Sequence, residues 1–192
     1  MRSKVMGSMD NTVLIPIDMQ LGFDFLTTKR NNPMMEENGQ GLLSAWRQLR
    51  APLIHVRHES IHPQDLFHPS HPGYNFHPSF VPLPGEVLVT KSANSALIGT
   101  DLDLRLRRAK VGTVVLFGFV TDMCVSTTAR HASNLGYKTI VIEDACACFD
   151  IRDKQGLIPA RDIHRIHIAT LAQEFATIMT TAALLKELPH PR

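Results

Sequence analysis

Apolar residues in this chain gather into short, nearly unbroken runs separated by stretches of helical periodicity. Six runs, residues 12–18, 53–57, 87–90, 113–118, 138–142 and 175–180, have the length and β-branched content of strands. Most are continuously apolar, the pattern of a parallel sheet covered on both faces. Helical spacing appears over 41–50, 121–135 and 161–174. The second of these sets Val125, Thr128, Ala129, Ala132 and Leu135 on one face and stops at Gly136. The third uses Ile163, Ile166 and Leu171. Residues 101–110 read two ways. Leu102, Leu104 and Leu106 alternate as in a strand, but acids first and bases last favour a helix. The alternation of strand and helix predicts one doubly wound α/β domain over residues 1–192, with right-handed crossovers. Residues 60–84 break the pattern. They are rich in Pro and His and aperiodic, and are expected to fold over a site or supply a subunit contact. Residues 1–10 read as a flexible lead-in.

Composition narrows the class. A chain of 192 residues is long enough for a full core. A net charge of +2 is too small to argue for nucleic acid or a membrane surface. No apolar run approaches a membrane span, and Arg2 and Lys4 are followed by no apolar segment of a signal peptide. Three cysteines at no paired spacing argue against a disulfide framework and for a reducing, cytoplasmic compartment.

The polar residues at strand ends carry the chemistry. Asp18 closes the first run, Lys91 closes the third, and Cys124 follows the fourth through Gly118-Phe119-Val120-Thr121-Asp122-Met123. In open α/β sheets that edge is where ligands bind. Thr121 is a good N-cap, which sets Cys124 in the first turn of a helix, where the dipole favours a thiolate. The bland alternatives are a packed thiol, a capping carboxylate and a solvated lysine.

Taken in order, Asp18-Met19-Gln20, Lys91 with Ser95-Ala96, Gly118-x-x-Thr121-x-x-Cys124-Val125, Thr128-Ala129-Arg130, Gly136-Tyr137 and Asp144-Ala145 resemble the isochorismatase-like cysteine hydrolases. That superfamily includes nicotinamidases and N-carbamoylsarcosine amidohydrolase, and the resemblance covers nearly the whole chain. It implies a six-stranded parallel sheet in the order 3-2-1-4-5-6 with helices on both faces, and a homo-oligomer, dimer or tetramer. It implies a triad of Cys124 as nucleophile, Asp18 as proton carrier and Lys91 as the cation that lowers the thiol pKa. It also implies a cis Phe119–Val120 peptide, with the N–H groups of Val120 and Cys124 forming an oxyanion hole. Gln20, Phe23 and Asn94 match pocket positions, and Arg57 and His58 are expected to recognise a substrate carboxylate or carbonyl. Ser95 and Leu97 either contact substrate or pack the lysine loop. Cys146 and Cys148 are expected to be packing residues.

Nicotinamidases hold a metal through an aspartate and histidines after the second strand. Here that segment reads His55-Val56-Arg57-His58-Glu59, with arginine in the aspartate's place, so no metal and no other cofactor are expected. The His/Pro segment adds His62, His68, His71 and His77. The reading is a metal-free hydrolase cutting a C–N bond in a small amide or carbamoyl compound. Alternatives are vinyl-ether hydrolysis of the isochorismatase type, a catalytically idle interaction module, and a thiol redox sensor.

Overall fold

The apolar runs pair side by side in the order expected. In the computed structural model, which describes residues 9–189, the strands are β1 (Thr12–Ile17), β2 (Ile54–His58), β3 (Val87–Lys91), β4 (Thr113–Phe119) and β5 (Lys138–Ala147). A two-stranded antiparallel hairpin follows, β6 (Ile151–Asp153) and β7 (Gly156–Ile158), and then β8 (Thr177–Met179). The main sheet has the order β3-β2-β1-β4-β5-β8, every pair parallel. This is the doubly wound 3-2-1-4-5-6 sheet, with the hairpin inserted ahead of its sixth strand. Every residue of β1 and β4 is buried, as continuous apolar runs at the centre of a covered sheet should be.

The helices are α1 (Met35–Gln48), α2 (Leu102–Arg108), α3 (Ser126–Asn134), α4 (Ala160–Glu174) and α5 (Thr181–Glu187). α1 and α5 pack together, as do α3 and α4, and both pairs contact β5. Right-handed crossovers on either side of the β1–β4 switch put them on opposite faces. α1 starts well before residue 41, carrying Asn38 and Gly39 in its interior. Gly39 is there for close approach, since a Cβ would come 2.8 Å from the Phe117 ring. Residues 101–110 are helical. Asp101–Arg105 and Asp103–Arg107 pair at i,i+4 while Leu102 and Leu106 turn inward. Leu135 and Ile166 are exposed, contrary to the expected faces. Ile168 takes the inward place in α4.

Residues 60–84 contain two short 3₁₀ turns, Pro72–Tyr74 and Pro78–Phe80, each capped by the preceding histidine. His71 Nδ1 accepts from the Gly73 N–H and His77 Nδ1 from the Ser79 N–H. Of the expected lead-in, residues 1–8 lie outside the described residues, and Met9–Asn11 form a 3₁₀ turn with Met9 partly packed on the core. Among the described residues no helix is long and apolar enough to cross a membrane.

Candidate active site

Three strand ends deliver three polar side chains to one buried point. Asp18 follows β1 in a left-handed conformation (φ 53°) that aspartate tolerates better than most residues. Its N–H donates to the Val56 carbonyl, which holds the end of β1 against β2. Lys91 is the last residue of β3, opposite His58 of β2. Cys124 lies in a single π-helical turn, Thr121–Val125, ahead of α3. The Val125 N–H closes that turn on the Val120 carbonyl at 3.2 Å.

Lys91 Nζ donates to Asp18 Oδ2 at 2.7 Å and to Cys124 Sγ at 3.3 Å. Asp18, Lys91 and Cys124 are 0%, 1% and 9% exposed, so the three exchange forces in a medium nearly free of water. The second carboxylate oxygen, Asp18 Oδ1, is buried with no hydrogen-bond partner. Burial, helped by the neighbouring Asp18 charge, pushes the Cys124 thiol up to about 12; Lys91 pulls it down but is outweighed. The direction is opposite to the lowering expected from the helix start and Lys91.

The structure also revises the residues around the three. Thr121 caps nothing; its Oγ1 pairs with His164 Nδ1 at 2.9 Å, tying the π-helical turn to α4. Gln20 is buried and braces the end of β2. Its Oε1 accepts from the His58 N–H, and its Nε2 uses both donors on the carbonyls of His58 and Tyr74. Arg57 stacks on Tyr74, 4.0 Å from the ring centroid, with Phe76 at 5.7 Å. Asn94 is exposed on the turn after β3. Ser95 pairs with His131, and the Ala96 N–H donates to Thr128 Oγ1. These bonds fasten the lysine loop to α3. Cys146 and Cys148 are buried and free, as is Cys124.

Phe23 belongs to an aromatic group that sequence spacing does not reveal. It stacks on Phe119 at 4.2 Å and tilts against Phe67 at 4.8 Å, with Phe149 at 6.0 Å. The Arg30 guanidinium lies 5.5 Å over the Phe119 ring. The Phe119–Val120 peptide is cis.

The histidines divide by role. His55 pairs with Glu86, His58 meets Lys91, and His68, His71 and His77 accept from nearby Ser or backbone groups. Among the described residues no three His, Cys, Asp or Glu side chains gather as metal ligands.

The comparisons with known proteins converge. The model of the Isochorismatase domain matches residues 12–183. The isochorismatase family protein YrdC of Bacillus subtilis is 41% identical over 93% of this chain and 96% of its own length. A streptothricin hydrolase of Streptomyces noursei is 30% identical over 76% of this chain and 53% of its own length. Among solved structures, a hydrolase of the isochorismatase family from Chromobacterium violaceum superposes with a TM-score of 0.92 at 37% identity, covering 97% of this chain and 98% of the other. A cysteine hydrolase from Pseudomonas syringae pv. phaseolicola gives 0.86 at 29%, covering 94% and 93%. With its strand order, its strand-end residues and a family match across nearly all of its length, the chain belongs to the isochorismatase family of hydrolases.

Proposed function

We propose that this hydrolase cleaves a C–N bond in a small amide or carbamoyl compound through a thioester-type intermediate on Cys124. The observation that carries the reading is the buried cluster itself, with Lys91 Nζ 2.7 Å from a carboxylate and 3.3 Å from a sulfur. A binding module needs no such set. Asp18, whose Oδ1 is unpartnered, takes the thiol proton as sulfur attacks the carbonyl carbon. Burial raises the thiol pKa, which favours proton removal and attack in one step. The N–H groups of Val120 and Cys124 receive the oxyanion. Asp18 then protonates the departing nitrogen. Water, deprotonated by the same carboxylate, hydrolyses the thioester and regenerates the thiol. Lys91 keeps its charge throughout and balances the negative charge as it moves between carboxylate and sulfur.

The streptothricin hydrolase relative, by its name a hydrolase of streptothricin, supports hydrolysis of a small non-peptide compound. A cytoplasmic, homo-oligomeric enzyme working without a metal completes the reading, and the three free thiols support the first of these. A panel of small amides and carbamoyl compounds assayed for ammonia release, with Cys124→Ala as control, tests it. Turnover that survives in Cys124→Ala, or is lost to a chelator and restored by zinc, manganese or iron, overturns it.

A further inference from the structure

We propose that His58 is a positioning residue of this site: its Nδ1 accepts the third N–H of the Lys91 ammonium and so fixes that cation between Asp18 and Cys124. Lys91 Nζ lies 3.3 Å from His58 Nδ1, in addition to its contacts with Asp18 Oδ2 and Cys124 Sγ. An ammonium has three donors and no acceptor. The nitrogen facing it must therefore carry a lone pair, and the neutral ring carries its proton on Nε2. With His58 in place, all three donors of a buried ammonium are used. Without it, one points at nothing and the head group is free to swing away from the sulfur.

The ring is held to this task. β2 and β3 pair with His58 directly opposite Lys91. Gln20 grips both main-chain groups of His58, accepting from its N–H at 2.8 Å and donating to its carbonyl at 3.0 Å. Phe67 meets the imidazole edge-on, 5.8 Å between centroids at 88°. The charged groups that face the ring are Lys91 at the end of β3, Asp18 at the end of β1 and Asp65 in the following loop. Burial, then Lys91, lowers the basicity of His58, and the two carboxylates offset this only in part. A proton on Nδ1 removes the acceptor and sets a second cation against Lys91. The site therefore loses its arrangement as pH falls below the histidine's range.

The inference rests on the reading of Asp18, Lys91 and Cys124 as one reacting unit. Alkylation of Cys124 by iodoacetamide tests it without a substrate, so failure to find an amide substrate leaves the test intact. Rates are measured by peptide mass spectrometry from about pH 5 to 9 for wild type, His58→Leu and His58→Asn, with circular dichroism as the check on folding. Asparagine places an acceptor near the position of Nδ1 and does not titrate. Leucine should slow alkylation at about pH 8 roughly tenfold or more, and asparagine should restore most of that loss. Wild type should show an additional fall in rate that His58→Asn lacks, setting in on the acid side of the ordinary histidine value because burial and Lys91 lower the ring's basicity. Wild-type rates in His58→Leu, or the same acid limb in His58→Asn as in wild type, would overturn the proposal. If His58→Leu does not fold, the comparison of acid limbs decides alone.

Discussion

Cys124 and Asp18 show how far a residue's surroundings can reverse an expectation drawn from its position. A cysteine just before a helix, beside a lysine, suggests a thiolate. Burial of the sulfur and the adjacent carboxylate instead hold the thiol near 12. Alkylation of Cys124 should therefore keep rising with pH through about 10, with no plateau near neutrality. A plateau between about pH 6 and 8, followed by peptide mass spectrometry at this cysteine, would mean a stable ion pair with Lys91. Asp18→Asn is a clean probe of the proton carrier, because asparagine tolerates the same left-handed backbone (φ 53°). Turnover on a substrate from the amide screen should drop about 10²–10⁴-fold. Retention of most activity would remove Asp18 from that role. The three strand-end residues were legible in the sequence because strand ends are legible. Gln20 was not: two of its partners, the carbonyls of His58 and Tyr74, lie 38 and 54 residues away and meet it only through the fold.

At the scale of elements, Gly118 sets how closely the two central strands can meet. Its φ is +129°, and a Cβ there would come 2.0 Å from the Ile17 carbonyl oxygen, a backbone atom that has no room to retreat. The register of β4 against β5 also shifts between Leu116 and Gly118, so the strand bends just before it delivers Val120 and the π-helical turn. Gly118→Ala should cost at least about 3 kcal/mol in urea unfolding, well beyond an ordinary glycine substitution in a strand. Gly41→Ala is the control, since nothing lies within 4 Å of the added methyl and α1 is helical there; it should be neutral or slightly stabilising. Equal stability of the two variants would show that the close approach is not a constraint. Strands and the longer helices were readable from period and run length. The β6–β7 hairpin and α5 are short, and their apolar residues are half exposed or shared with a neighbour, so they leave little periodic trace. The ambiguity over 101–110 was settled by charge, through ion pairs that only a helix brings together.

Across the whole molecule, the His/Pro segment is tied to its neighbours. Phe80 is fully buried, and the Arg57 guanidinium lies over the Tyr74 and Phe76 rings. The segment ends in a network that fastens it to the core. Glu86 receives Arg47 Nε at 2.7 Å on one oxygen, and His55 Nε2 at 2.8 Å on the other, which also accepts from Arg47 Nη2 and the Leu83 N–H. α1, β2 and the turn before β3 thus meet on one carboxylate. Burial pushes Glu86 up, but these hydrogen bonds outweigh it and hold the carboxyl at about 2, below its ordinary 4.5. Its side chain is 14% exposed, so solvent screens the network only in part. A depressed carboxylate stabilises fully above its unfolded pKa and loses that contribution as pH falls toward its folded one. The window is from about 4.5 down to about 2, worth about 3 kcal/mol at most. His55, buried with its basicity lowered first of all by burial, adds loss in the same direction from 6.5 downward, because the unfolded chain takes up the proton first. Glu86→Gln should therefore cost about 2–3 kcal/mol near pH 7 and flatten the acid limb of stability. Urea unfolding of wild type and variant at about pH 7 and pH 4 checks both: the gap between them should narrow on acidification. A gap that stays constant with pH would mean that Glu86 contributes through packing and not through its charge.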